Sequence, residues 1–275
     1  MTSPVEAAFE EDRVRAVNFI TSEKLPTLFV EGGLDRYILN HHFGKITRVV
    51  IPETGSFGSR DYRKGGKSLV RKKVESDGNS FGFVDMDHDF RSSFVRTNPR
   101  LEDSSPKSCL ASLMMDDTST REFVASMLRK RGLASKNDSD NVLNMAKAHS
   151  IVVWERGMTW EKGDKIPDFD EEDVWGRLLL SSGIEEFSES LQKLPNGTAL
   201  GLFWRVNKSF LENAGMRDHS LVEAILRYVE FRDSSTWMNG TSEIQRKLAG
   251  FIKYRPLHKK LERFHESIQM QTLFV

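Results

Sequence analysis

The sequence predicts an α/β fold, a parallel sheet flanked by helices, with a mainly helical C-terminal half. Apolar runs of strand length alternate with amphipathic helical segments up to residue 86, the pattern of a sheet built with right-handed crossovers. Two of these runs end directly in carboxylates: Leu28-Phe29-Val30 enters Glu31, and Phe81-Gly82-Phe83-Val84 enters Asp85-Met86-Asp87-His88-Asp89. Beyond residue 120 the apolar residues recur at helical spacing instead.

Taken in order, residues 5–22 carry Val5, Phe9, Val17 and Ile20 between charges, an amphipathic helix. A strand follows at 27–31. Gly32-Gly33 then turns the chain into a helix at 34–43. Next come a strand at 46–51, a Gly-rich basic loop at 54–66, a helix near 67–76 and the acid-ended strand at 80–86. Asn98-Pro99 and Ser104-Ser105-Pro106 mark a loop, after which Cys109–Met115 reads as a further strand. Arg121–Arg131 and Ser139–His149 read as helices, Ile151–Trp154 as a short apolar run, and Lys162–Asp173 as an acidic exposed loop. Segments 184–193, 219–231, 241–252 and 256–270 have helical spacing, and Ala199–Val206 is a candidate strand. The simplest division is a sheet domain over 1–125 and a helical region over 126–275 that serves association or substrate binding and can complete the sheet.

With 275 residues, 38% hydrophobic and 29% charged, the chain can bury a sizeable core. Its 40 Lys and Arg balance 40 Asp and Glu, so any nucleic-acid partner must be met by a local basic surface. The single cysteine, Cys109, excludes an internal disulfide framework and suits a reducing compartment. The first residues show neither a basic region nor an apolar core of a signal peptide, and no apolar run reaches membrane-spanning length. A cytoplasmic protein is expected, and the Asn-x-Ser/Thr triplets at Asn137, Asn196, Asn207 and Asn239 are chance.

The carboxylates carry the chemistry. On a continuing strand Asp85, Asp87 and Asp89 project to one side at intervals of about 7 Å. Glu31 emerges beside them, because the crevice of an open α/β sheet lies outside the carboxyl ends of its strands. Acids crowded there repel unless a cation intervenes, and oxygen ligands without a His/Cys set favour Mg²⁺ or Mn²⁺ over zinc. Asp35 is either a further ligand or a first-turn acid favoured by the helix dipole. Asp116, Asp117 and Thr118 make an N-cap region for the helix that follows. Gly65-Gly66-Lys67-Ser68 is no P-loop, since that motif needs glycine where Asp61 stands. Arg60, Arg63, Lys64 and Lys67 lie on the same rim as the acids, where they can hold a phosphodiester or remain a solvated loop. Adjacent His41-His42 lacks metal-binding spacing. Arg129-Lys130-Arg131 and Lys253-Tyr254-Arg255 with His258-Lys259-Lys260 read first as solvated faces, although Tyr254 among cations is compatible with base stacking. The tryptophans read as core.

At these residues the chain resembles the Toprim family. Phe29-Val30-Glu31-Gly32-x-x-Asp35 is similar to the Val-Glu-Gly-x-x-Asp form of its overcoming-lysogenization-defect-type nucleases, and Val84-Asp85-x-Asp87-x-Asp89 to the second motif. Asp117-Thr-Ser-Thr-Arg-Glu122 is similar to the Asp-x-x-x-x-Glu element of the small Toprim effector subunits paired with ATPases in anti-phage systems such as PARIS. The resemblance spans roughly residues 25–125. One departure is Gly33, where relatives often carry a lysine or another polar residue. The resemblance implies a Toprim-like fold and a Mg²⁺- or Mn²⁺-dependent endonuclease. In it Glu31, Asp85 and Asp87 are catalytic and hold metal, Asp89 and Asp35 are auxiliary ligands, and Glu122 is an additional catalytic acid. It also implies an RNA substrate, transfer RNA included, or DNA, and control by a partner ATPase in anti-phage defence. The rival expectation is a Toprim-like binding or regulatory subunit that performs no chemistry. The apolar face of Leu221, Ile225, Leu226 and Val229 and the tail Met270–Val275 point to a homodimer or to docking on that partner.

Overall fold

The computed structural model describes residues 25–52, 65–86, 98–105, 107, 109–133, 135–161, 171–180, 216–234 and 236–272. The elements expected at 5–22, 184–193 and 199–206, the basic loop up to residue 64, and the acidic loop up to residue 170 lie outside these. The described residues divide into two compact units. One holds the sheet together with segment 245–272. The other is entirely helical among its described elements.

In the first unit four strands, β1 (Thr27–Phe29), β2 (Arg48–Val50), β3 (Ser80–Val84) and β4 (Leu101–Asp103), form a parallel sheet in the order β2-β1-β3-β4. Helix α1 (Gly33–Phe43) connects β1 to β2, and α2 (Gly65–Ser76) lies between β2 and β3. Strand β3 is buried along its length, as expected for a central parallel strand covered on both sides. On one side Val70 and Val74 of α2 pack with Val84, Leu101 and Phe29. On the other, Phe43 of α1 meets Phe264 of α9 (Lys259–Thr272) at 6.1 Å between ring centroids, and Phe264 meets Phe81 at 6.2 Å. The C-terminal segment therefore adds a helix to the layer over the sheet and not a strand within it.

Strand β4 corrects the loop expected across residues 98–106. Only Leu101 of its three residues is apolar and buried, and pairing alone defines it: Gly82↔Leu101, Phe83↔Glu102, Val84↔Asp103. A short, charged strand is typical of a sheet edge.

The second unit contains α3 (Leu110–Met114), α4 (Asp117–Arg129), α5 (Lys136–Glu161), α6 (Glu171–Leu180), α7 (Asp218–Asp233) and the start of α8 (Gly240–Lys253). Helix α3 stands where a strand was expected at Cys109–Met115. A short run whose one polar residue is the buried Ser112 has no period to distinguish the two forms, and here every side chain of the helix is buried. Local bonds decide for helix: the Ser112 hydroxyl donates to the Cys109 carbonyl at 3.0 Å, and Leu113 N–H donates to the same oxygen at 3.0 Å. Helix α5 joins the Ser139–His149 segment and the apolar run after it into 26 continuous residues, against which α4, α6 and α7 pack. That packing consumes Leu221, Ile225 and Val229, all buried. Three of the four residues of the face expected to associate thus lie inside their own unit, and Leu226 is half-buried. Trp175 and Trp237 are also buried, in keeping with a core role.

Candidate functional site

The sheet order fixes where a site belongs. From β1 the chain moves to β2 on one side, then crosses back to β3 on the other, so the connections diverge between β1 and β3. At such a divergence the flanking helices depart to opposite faces and leave a crevice beyond the carboxyl ends of the strands. Glu31 follows β1 and Asp85 follows β3, one on each lip of that crevice.

The two residues are joined. Asp85 N–H donates to Glu31 Oε1 at 2.8 Å. Gly66, in the first turn of α2, stands over the same side chain: a Cβ placed there would lie 3.1 Å from Glu31 Oε2 and 3.4 Å from Glu31 Cβ. Glu31 is thereby held between the end of β3 and the start of α2, where the amino-terminal dipole of the helix favours an anion. Lys67 occupies the next position, partly buried. Arg60, Arg63 and Lys64 lie outside the described residues, as do Asp87 and Asp89.

Asp35 is buried, and its Oδ2 accepts the Gly32 N–H at 3.2 Å at the start of α1. This bond satisfies one of the amide groups orphaned at a helix start, and it also shapes the turn that carries Glu31. Asp116 is the N-cap of α4, accepting the Ser119 N–H at 2.7 Å. Asp117 pairs with Lys147 at 2.7 Å, and Glu122 is exposed on α4. Asp117 and Glu122 belong to the helical unit, whereas Glu31, Asp35 and Asp85 belong to the sheet unit. Burial pushes the nearby Lys107 ammonium below its ordinary value, and Asp117 opposes that shift.

Sequence reasoning missed Glu102 and Asp103, at the end of β4. Lys260 of α9 bridges them, with Nζ 3.0 Å from Glu102 Oε1 and in direct contact with Asp103 Oδ1. The signal was the one used for β1 and β3, an apolar residue running into acids, reduced to Leu101 alone. Among the described residues no group of three or more His, Cys, Asp or Glu side chains is close enough to share a metal ion. Glu31 and Asp85, which follow neighbouring strands, carry hard oxygens of the kind that suits Mg²⁺ or Mn²⁺. No described helix is long and apolar enough to cross a membrane. No family model matches this chain, and no curated protein or solved structure matches it either.

Proposed function

We propose that this chain is a metal-dependent nuclease of Toprim type that hydrolyses phosphodiester bonds of RNA, transfer RNA included, or DNA. The observation that carries the reading is the Glu31–Asp85 junction at the β1/β3 divergence, where an α/β sheet places its ligand. In this reading Glu31, Asp85 and Asp87 would hold one or two Mg²⁺ or Mn²⁺ ions, with Asp89, Asp35 and Glu122 as auxiliary acids. Such a cation supplies polarisation of the phosphate and a bound water of lowered pKa. The chain's own part is positioning. The Asp85 amide and Gly66 fix the Glu31 carboxylate, and the start of α2 with Lys67 favours a phosphate next to it. The resemblance further supports a role as an anti-phage effector restrained by a partner ATPase. A homodimer or an ATPase complex would form through surfaces other than the buried Leu221, Ile225 and Val229.

A second reading is favoured by the same bonds. Glu31 and Asp35 both accept backbone amides that organise the turn, so a binding or regulatory subunit could keep these acids for architecture alone. Glu31→Gln separates the two, because glutamine keeps the acceptor for the Asp85 amide and removes the charge. Under the nuclease reading purified Glu31→Gln and Asp85→Asn lose Mg²⁺-dependent cleavage by about 100-fold or more with little change in melting temperature. Cleavage by Glu31→Gln at the wild-type rate overturns it.

A further inference from the structure

The chain as a whole carries no net charge, yet its basic residues are not evenly spread. From Gln245 to Arg263 there are seven Lys or Arg and one acid, Glu262, and of the seven Lys260 is paired with Glu102 and Asp103. All of this segment belongs to the sheet unit. At its centre, where α8 ends, Tyr254 is 76% exposed. His41 of α1 meets the Tyr254 ring edge-on at 5.4 Å between centroids. The Lys253 ammonium lies 5.7 Å from the Tyr254 ring centroid and 4.5 Å from that of Tyr37. The Arg255 guanidinium covers the Phe251 ring at 4.7 Å, and His258 and Lys259 follow, both exposed.

Rings steadied edge-on and bordered by cations form a stacking platform beside a phosphate track. Nucleobases stack on exposed aromatic faces, and the neighbouring Lys and Arg neutralise the backbone that links them. A duplex hides its base faces, and an acidic peptide has none. We infer that the α8–α9 junction, with Tyr254 and His41 as the stacking pair and Arg255 and Lys259 as phosphate contacts, is a binding surface for single-stranded nucleic acid. It deepens the nuclease reading, on which it rests for its place in function, by naming the face that engages the unpaired part of the substrate.

The test is fluorescence anisotropy on the full chain with labelled dodecamers of single-stranded oligouridylate and oligothymidylate, in excess EDTA and over a series of salt concentrations. Tyr254→Ala should weaken binding by about 5- to 100-fold, and Tyr254→Phe should bind within about twofold of wild type, since stacking needs the ring and not the hydroxyl. Arg255→Gln with Lys259→Gln should flatten the slope of log K against log salt by roughly 1 to 1.5. Dependence on Tyr254 with either oligomer supports the surface. Binding of neither oligomer at low salt, equal binding by Tyr254→Ala, or displacement by inorganic polyphosphate as effective as by unlabelled oligomer overturns it. The chelator keeps the two readings apart. Binding without any metal-dependent cleavage removes the nuclease reading alone. Cleavage with Tyr254-independent binding removes the surface alone.

Discussion

Gly82 shows how a single missing side chain sets the site. A Cβ at that position would lie 2.6 Å from Leu101 Cδ2, 2.7 Å from Val70 Cγ1 and 2.9 Å from Val74 Cγ2. The glycine lets α2 lie directly on β3, and the same helix carries Gly66 against Glu31 at its other end. Gly82→Ala should therefore cost about 1–3 kcal/mol as overpacking, read by urea unfolding, and a loss indistinguishable from zero would mean that α2 moves freely on the sheet. In the helical unit the corresponding constraint is polar. Tyr228 donates to Asp138 Oδ1 at 2.6 Å in a buried setting, and Ser135 donates to the other carboxylate oxygen at 2.6 Å. Burial alone would raise the Asp138 carboxyl, but these bonds and nearby Arg232 hold it below its ordinary value. Burial and the bond to Asp138 raise Tyr228 in turn. Tyr228→Phe should cost about 1.5–3 kcal/mol, the range for a hydrogen bond to a charged group. An unchanged unfolding midpoint would show that the pair contributes nothing net.

Elements differ in how openly the sequence declares them. β1 and β3 are legible because apolar residues run straight into Glu31 and Asp85, and the parallel sheet follows from the helices between them. β4 is not legible, because a strand with one buried apolar residue exists only through its partner, and α3 is not legible because a short, largely apolar run carries no period. The candidate site divides the same way. That Glu31 and Asp85 stand on one crevice is readable from strand ends. Gly66 over Glu31, the Asp85 amide bond and the occupation of Asp103 by Lys260 depend on register and helix placement, which no local pattern encodes. Helix α4 offers a test at this level, since adjacent acids at its start have separate roles. Asp116 caps the helix, whereas Asp117 makes an ion pair with more than half of its side chain exposed. Asp116→Ala should lower stability by about 1 kcal/mol, and Asp117→Ala should fall within about 0.5 kcal/mol of wild type. Equal losses in thermal or urea unfolding would refute that assignment.

At the level of the whole chain, net charge is zero and the balance of acids and bases gives no global preference for low or high pH. The pH dependence of stability then rests on groups whose burial changes their proton affinity, and two described histidines of the sheet unit are among them. Burial lowers His42 from its ordinary value of 6.5, His41 and His265 lower it further, and a hydrogen bond with the Lys253 backbone opposes them. Burial likewise lowers His265, against the opposing pull of Glu266. Its ring sits 5.0 Å from Phe43 in the layer over the sheet. Both imidazoles thus stay neutral in the fold at pH values where the unfolded chain would protonate them. Below about pH 6.5 the unfolded state binds more protons, so stability is full above that value and falls as pH drops through the lowered folded values. Asp138, with an ordinary value of 3.8, acts in a separate window, its contribution lost only as pH falls below that range. Melting temperature should therefore begin to decline as pH falls below about 6.5, above the carboxylate window. His42→Leu with His265→Leu should flatten that first decline and leave the one below about pH 4 in place. A wild-type melting temperature that stays level down to pH 5 would show that the buried histidines carry no proton linkage, and the acid limb would then belong to the carboxylates alone.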